Sequence, residues 1–547
     1  MLFNTIWERL LGELILLKVG IAVLFLFFMI ATLLSVIVLR RKGRCARPGS
    51  HSSFKENVLL VFALTLLSTS VIIGFAGPVV AEGTIYTYNA ELLGSATSAS
   101  VFYVAPDGDD ADPGTVDQPW RTIQHAAETL VAGDTVFIRG GVYKEQAITV
   151  HDGNSVNGYI VFSAYPGETP ILDGTDVTKI RDACFIVSHS YIKLVGLEIC
   201  NWDTGIWMEN CGHIEISDCE VHSVWSGIGA ADGAHDFVLN SVEMHHFTLY
   251  GFDASPSGGA DCYNGTFNDC IAHTCRDPTQ NVDGFALGHG TQHDFVFNRC
   301  VVYDVFDGFD ISARDTTLNS CAAYDCRNGG YKLWQDGVTL VDCLSYHNEI
   351  TNVELDWDGE PGTTTLRNCH FVGSESFNVW VENSNDHLHM YNCIIACGDN
   401  LGLAFEQMGT ANYRGDYNIF HNEDTERAIV VGYEDEFSLN QIAAGDWITY
   451  SSQDQHSFVS LNPETELFID LSKWDLHLQE GSIAIDSGTS ENAPTVDYDG
   501  ANRPQGEGYD IGAYEIPEFS SIIIMLIILV SLTVPIISIR KRLLFVQ

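Results

Sequence analysis

A chain of 547 residues, 46 % hydrophobic and 18 % charged, can bury a sizeable core, which excludes global disorder. Its 27 Lys and Arg against 72 Asp and Glu give a net charge of −45. Such a field excludes nucleic acid as a partner, because that binding rests on basic residues neutralising phosphate, and it suits either solubility in salt or a supply of hard oxygen ligands for Ca²⁺.

Apolar runs at 14–39 and 58–80 open the chain, and a third spans 520–539. Each approaches or exceeds the roughly 20 residues that cross a bilayer core. Arg40, Arg41, Lys42 and Arg44 follow the first run, and Arg540, Lys541 and Arg542 follow the last. Positive flanks stay cytoplasmic, so the chain between the second and third runs is expected outside, tethered to the membrane at both ends. The second run also reads as a signal peptide, with Lys55 before it and Val79-Val80-Ala81 as a small-residue cleavage site. The expected organisation is a first membrane segment and basic loop (1–57), a second segment or signal peptide (58–81), a linker (82–100), a cap and first coils (101–194), repeats with the site (195–410), closing coils (411–516) and an anchor (517–547).

After the linker come Phe102-Tyr103-Val104-Ala105-Pro106-Asp107-Gly108, Trp120-Arg121-Thr122-Ile123-Gln124, Gly133-Asp134-Thr135-Val136 and Gly140-Gly141-Val142-Tyr143. This stretch resembles the N-terminal cap and first coils of secreted β-helix proteins of the pectate-lyase-like superfamily. The resemblance implies a short capping helix from Gln124 to Leu130 over the open end of the core.

From about residue 195 to 405 a pattern then recurs every 22–33 residues, which marks a solenoid. One part is Gly before alternating apolar positions, at Gly205, Gly227, Gly251, Gly284, Gly308, Gly330 and Gly402, with Asn352 and Asn378 in the same slot. The other is a cysteine column, Cys219, Cys270, Cys300, Cys321, Cys343, Cys369 and Cys393, with Val242 filling one place. Short alternating strands punctuated by Gly, Asn and Asp, without a helical period, predict an all-β right-handed parallel β-helix. The cysteines should stack inside it as thiols, while Cys270/Cys275 and Cys321/Cys326 are the pairs best spaced for disulfides. Ala484-Ile485-Asp486-Ser487-Gly488 and Asp510-Ile511-Gly512-Ala513-Tyr514-Glu515 resemble the closing segment of the same large group. Ile516-Pro517-Glu518-Phe519, an apolar run and a basic tail resemble the Pro-Glu-Phe class of archaeal surface-sorting signals.

Aligning coils on Gly predicts columns spaced about 4.8 Å apart. The residue before Gly gives Asp283 and Asp307. Two after gives Asp253, Ala286, Asp310, Lys332 and Glu354, and four after gives Trp334, Asp356, Glu382 and Glu406. The last two columns share a parity that should point toward solvent. The stretches Asn281-Val282-Asp283-Gly284-Phe285-Ala286, Phe306-Asp307-Gly308-Phe309-Asp310 and Asn328-Gly329-Gly330-Tyr331-Lys332-Leu333 resemble polysaccharide lyase family 9 over about 70 residues. That resemblance implies Asp283, Asp307 and Asp310 as Ca²⁺ ligands, Lys332 as Brønsted base, and an acidic polysaccharide as substrate. The family has Asp-Asp before the Gly, and here Phe306 replaces the first.

Turn-forming aspartates with a surface ion pair at Lys332 are the bland alternative. A non-catalytic adhesive or carbohydrate-binding platform, with Trp334, Trp357 and Trp380 stacking on sugars, is the rival function. A glycoside hydrolase is a minor one. Asn281-Val282-Asp283 and Gly288-His289-Gly290 faintly resemble polygalacturonase signatures in the wrong spacing, and a carboxylate pair among Glu354, Asp356 and Glu382 is the remaining hydrolase arrangement. Arg314 and Arg327 are weaker candidates for binding a substrate carboxylate. The histidines His245, His246, His289 and His293 lack zinc spacing and read as turn and surface residues.

Overall fold

The computed structural model describes residues 99–517, except 179–180, 255–258, 278, 289–291, 356–361, 384–385, 399–400, 407–411 and 433–434. The three apolar runs and the sorting-signal-like tail from 518 lie outside the described residues, among which no helix is long and apolar enough to cross a membrane. Contacts divide the chain into Met1–Leu93 and Gly94–Gln547, and everything below belongs to the second unit.

The described chain winds as a parallel β-helix. Each coil gives one strand to each of three sheets, and every sheet has 13 strands. The first sheet runs from Val101–Val104 to Tyr413–Asp416, the second from Gly141–Tyr143 to Phe458–Val459, and the third from Ala147–Ile148 to Asp435–Phe437. Pairing is parallel within these sheets apart from the last pair of the third, Ile429–Val431 with Asp435–Phe437.

The corners explain the polar punctuation. The residue before each member of the cysteine column adopts left-handed backbone, including Asp218, Ser241, Asp269, Ser320, Asp342, Asn368 and Asn392. Asn and Asp tolerate that conformation better than other side chains, so they mark the turn between first and second sheets. Just before this corner, Asn268 Nδ2 donates to Asn240 Oδ1 (2.9 Å), Asn298 to Asn268 (2.9 Å) and Asn319 to Asn298 (3.0 Å), a half-buried asparagine ladder.

Inside, aromatic rings stack coil on coil: Phe285 to Phe309 at 5.3 Å and Phe309 to Tyr331 at 5.0 Å. All fourteen described cysteines are buried and unbridged, so neither Cys270/Cys275 nor Cys321/Cys326 is a disulfide. Their thiols hydrogen-bond locally instead, as Cys343 Sγ does to the Leu318 carbonyl at 3.4 Å.

The Gly slot faces this interior. A Cβ on Gly284 would lie 2.3 Å from Val302 Cγ1, and one on Gly308 would lie 3.1 Å from Ala323 Cβ. Because the next residue (Phe285, Phe309) is also inside, two consecutive inward positions bend the strand and reset its alternation. Where the slot is Asn352 or Asn378, the side chains are fully buried and linked, Asn352 Nδ2 donating to Asn378 Oδ1 at 2.8 Å and Asn378 Nδ2 to the Ala396 carbonyl at 2.9 Å.

The ends are closed differently. Helix Ile123–Thr129 buries Ile123, Ala126 and Ala127 against the first coils, N-capped by the Thr122 side chain. At the other end, helices Leu439–Ala444 and Asp446–Ser451 bury Trp447, whose Nε1 donates to Asp454 Oδ2 at 2.8 Å. The chain after Ser460 then turns back along the outside of the second sheet, packing Leu467, Phe468, Ile511, Ala513 and Tyr514 on Ala322, Leu344, Val372 and Ile394.

His370 lies under this returning segment, wholly buried between the rings of Phe468 and Tyr514, with no hydrogen-bond partner for either nitrogen. Burial, helped by Arg503 and His477, holds its pKa down to about 3. The unfolded chain takes a proton at about 6.5, which the folded one refuses, so stability is full above that pH and falls as pH drops toward about 3. Denaturant midpoints measured across this window should fall steeply for the wild type and flatten in His370→Phe; an unchanged slope would contradict the argument.

Candidate active site

Adjacent third-sheet strands bring the candidate residues together. Asp283–Leu287 pairs with Asp307–Ile311, setting Asp283 beside Asp307 and Ala286 beside Asp310. Asp307–Ile311 pairs with Gly329–Leu333, setting Asp310 beside Lys332. Thr351–Leu355 follows, with Glu354 beside Lys332. The column expected from the Gly alignment is therefore the column present. The bend at Gly284 and Gly308 is what turns Asp283 and Asp307, which strict alternation would send inward, to the face of Asp310.

Carboxylate oxygens of Asp283, Asp307 and Asp310 all lie within 4.8 Å of one another. Asp307 is held on both oxygens: its Oδ1 accepts from Asn328 Nδ2 (2.8 Å) and the Gly329 backbone N–H (3.1 Å), and its Oδ2 from Lys332 Nζ (3.3 Å). Lys332 Nζ also sits 5.1 Å from the centre of the Trp334 ring, within cation–π reach.

This face is less open than the sequence suggested. Asp283 is 3 % and Asp307 0 % exposed, and the Lys332 side chain 14 %. The two aspartates are therefore sunk below the sheet surface, and this shielded spot is the recess of the site. Burial, then the charges of Asp310 and Asp307, push the Asp283 carboxyl well above its ordinary range. Burial also raises Asp307, against the pull of Lys332 and its hydrogen bonds. For Lys332, burial acts to lower the pKa, but Asp307, Asp310 and Glu354 together leave it raised.

Three clustered carboxylates that repel one another are a donor set for a hard cation. Asp283 Oδ1 is buried without a hydrogen-bond partner, an orphan that a cation would satisfy. Phe306, in place of a fourth carboxylate, is instead partly buried against the core. The set thus fits Ca²⁺ with one protein ligand fewer than the family pattern.

Other candidates fall elsewhere. Arg314 and Arg327 are exposed at coil corners. Asp356, Trp357, His289 and Gly290 lie outside the described residues, so the hydrolase-like pairings that need them have no geometry here. Val282 is core, which leaves Asn281-Val282-Asp283 contributing Asp283 alone to the recess. His245 stacks between His222 and His273 on the second sheet and bonds Glu220 at 3.0 Å, part of a surface His–Glu row. Two residues of the site were not singled out from sequence. Asn328 orients Asp307, and Tyr250 lies beside Asp283 on the preceding strand. Asn328 precedes Gly329 one coil beyond Phe306, a position the Gly alignment could have flagged.

The family model "Pel9A-like, right handed beta helix region" matches residues 102–365. The chain is 26 % identical over 274 residues to "Pectate lyase PEL9" of Emericella nidulans, covering 49 % of this chain and 60 % of that protein. It is 34 % identical over 94 residues to the uncharacterised protein YwoF of Bacillus subtilis, covering 17 % of this chain and 20 % of that one. The chain thus spans less than two thirds of either curated relative. Among solved structures, that of pectate lyase Pel9A aligns at 15 % identity with a TM-score of 0.47, over 76 % of this chain and 96 % of that one. The stretch that this family model matches is thus the one that carries the three aspartates and Lys332.

Proposed function

We propose that the protein is a calcium-dependent lyase that cleaves uronate-containing polysaccharide by β-elimination. The observation that carries the reading is the convergence of Asp283, Asp307 and Asp310 within 4.8 Å, with Lys332 next in the column. Elimination requires removal of the weakly acidic C5 proton, α to the uronate carboxylate. A Ca²⁺ ion held by the three aspartates would draw on the charge that develops at that carboxylate and offset the negative field that keeps Lys332 protonated.

The chain's own residues do the rest. Asn328 and the Gly329 N–H fix Asp307, so its free lone pairs keep one direction. Trp334 and Asp307 confine Lys332 Nζ to the recess, where in its neutral form it accepts the C5 proton. The terminal apolar runs are proposed to hold this β-helix on the outer surface of the cell membrane. The test is incubation of the purified protein with polygalacturonate and other uronate polymers plus Ca²⁺, following the near-ultraviolet absorbance of unsaturated product. No absorbance on any of them defeats the reading. Phe306 in the ligand position, and the half-buried pair Phe377–Trp380 stacked at 4.8 Å, favour the rival carbohydrate-binding platform, which predicts polymer retention without product.

Asp283→Asn separates the cost of the site from its use. The ionised Asp283 opposes folding, a penalty absent at low pH that grows as pH rises above the ordinary carboxylate range. Without Ca²⁺ the variant should melt above the wild type at neutral pH, while needing about tenfold or more Ca²⁺ for half-maximal activity. A variant that loses stability in chelator, or keeps wild-type Ca²⁺ dependence, would contradict this account.

A further inference from the structure

A second, chemically different cluster lies on the outside of the second sheet near the end of the coil array. Strands Ile394–Gly398 and Ile419–Asn422 pair in parallel, but their register shifts between Ile395 and Gly398. The extra residue is a bulge, and within it Cys397 takes left-handed backbone (φ 57°). Bulges re-aim side chains, and this one sets Cys397 beside His421. The Cys397 thiol, a ring nitrogen of His421 and a carboxylate oxygen of Glu423 all lie within 4.8 Å of one another.

The histidine fixes what the cluster can hold. His421 Nδ1 lies 2.9 Å from the Ser460 carbonyl, which can only accept, so Nδ1 carries the proton. In the neutral ring Nε2 is then a bare lone pair. It is buried, has no hydrogen-bond partner, and faces Glu423 Oε1 at 3.6 Å. Two electron-rich atoms in that relation need a positive centre between them. A backbone carbonyl on the far nitrogen is also how metal-binding histidines are commonly held.

We propose that Cys397, His421 and Glu423 form a binding site for a thiophilic divalent cation of the Zn²⁺ class. Nitrogen, sulfur and one carboxylate oxygen suit Zn²⁺, whereas the all-oxygen aspartate recess suits Ca²⁺. Cys397 and His421 are 7 % and 5 % exposed, and Glu423 is at the surface, so water can complete the shell on that side. On binding, the Cys397 thiol gives its proton to solvent and ligates as thiolate. Since His421 also grips Ser460, where the chain leaves the coils, the ion would clamp the returning C-terminal segment to the second sheet.

A third cluster, Glu198, Cys200 and His222, is the natural comparison. There the histidine nitrogen already has Glu198 within hydrogen-bond range at 3.4 Å, and no carbonyl fixes its tautomer. Co²⁺ serves as the spectroscopic probe, added to the chelator-stripped full chain. A thiolate-to-cobalt charge-transfer band in the near ultraviolet is expected, displaced by one equivalent of Zn²⁺. Cys397→Ser should abolish the band and Cys200→Ser should leave it. Glu423→Gln, a near-isosteric change at an exposed side chain, should weaken Co²⁺ binding about tenfold or more. Absence of the band in the wild type, its survival in Cys397→Ser, or unchanged affinity in Glu423→Gln would each overturn the proposal and leave a His421–Glu423 ion pair in its place.

Discussion

Replacing Lys332 with alanine is expected to lower turnover of a uronate polymer about 10²- to 10⁴-fold, the range a positioned general base contributes. Lys332 Nζ is the nitrogen that the column Asp310–Lys332–Glu354 brings beside the aspartates, confined by Asp307 and the Trp334 ring. Truncation removes a proton acceptor and leaves the carboxylates in place, so polymer and Ca²⁺ should still bind. Lys332→Arg is the sharper variant. A guanidinium keeps the charge that balances Asp307 but does not give up its proton near neutral pH, so it should be about as inactive as alanine while retaining stability. The pKa of Lys332 is raised by Asp307, Asp310 and Glu354 against the lowering effect of burial, so wild-type activity should climb on the alkaline side and respond to Ca²⁺ there most strongly. Wild-type rates in Lys332→Ala, or an active Lys332→Arg, would remove Lys332 from the base role.

The second large effect concerns the returning segment. Arg503 is fully buried, its Nη2 3.0 Å from Asp342 Oδ1 and its Nη1 2.9 Å from Glu515 Oε2. It also donates to the Gly512 carbonyl at 2.8 Å, so one guanidinium joins a coil corner to two points of the closing motif. Burial pushes the Asp342 carboxyl up to about 8, and Arg503 is the main force opposing that rise. Arg503→Ala leaves two buried carboxylates without their cation, a change that costs about 3–5 kcal/mol when a buried pair is broken this way. The loss should be local. The segment after Ser460 would detach and become cleavable in limited proteolysis, while the coils, held by their own ladders, persist. A thermal midpoint within a degree or two of wild type, with the segment still protected, would contradict this account.

The coils were legible because their rules are short-range and repeated. A left-handed corner wants Asn or Asp, an inward slot facing Val302 or Ala323 wants Gly, and a stacked core wants the same ring in each turn. Gly284, Gly308, Phe285 and Phe309 therefore announce themselves at fixed offsets. The column Asp310–Lys332–Glu354 followed from the same alignment, since parallel in-register strands convert equal offsets into neighbours. The burial of the recess did not follow. Offset alone treats Asp283 as one more corner aspartate; in the packed structure, with alternation reset at Gly284, it is a carboxylate only 3 % exposed. The closing motif was recognisable as a motif, yet nothing near Asp510 in sequence says that it lies against Asn368 and His370.

By itself, then, the sequence determined the solenoid, its coil register and the face on which aspartates and lysine meet, because each depends on local backbone preference repeated turn after turn. Only the tertiary structure decided which of those groups are desolvated, how Asn328 holds Asp307, where the chain after Ser460 docks, and that Cys397, His421 and Glu423 meet at a bulge. Those outcomes depend on long-range packing and on one irregular residue in a strand, and neither leaves a periodic trace.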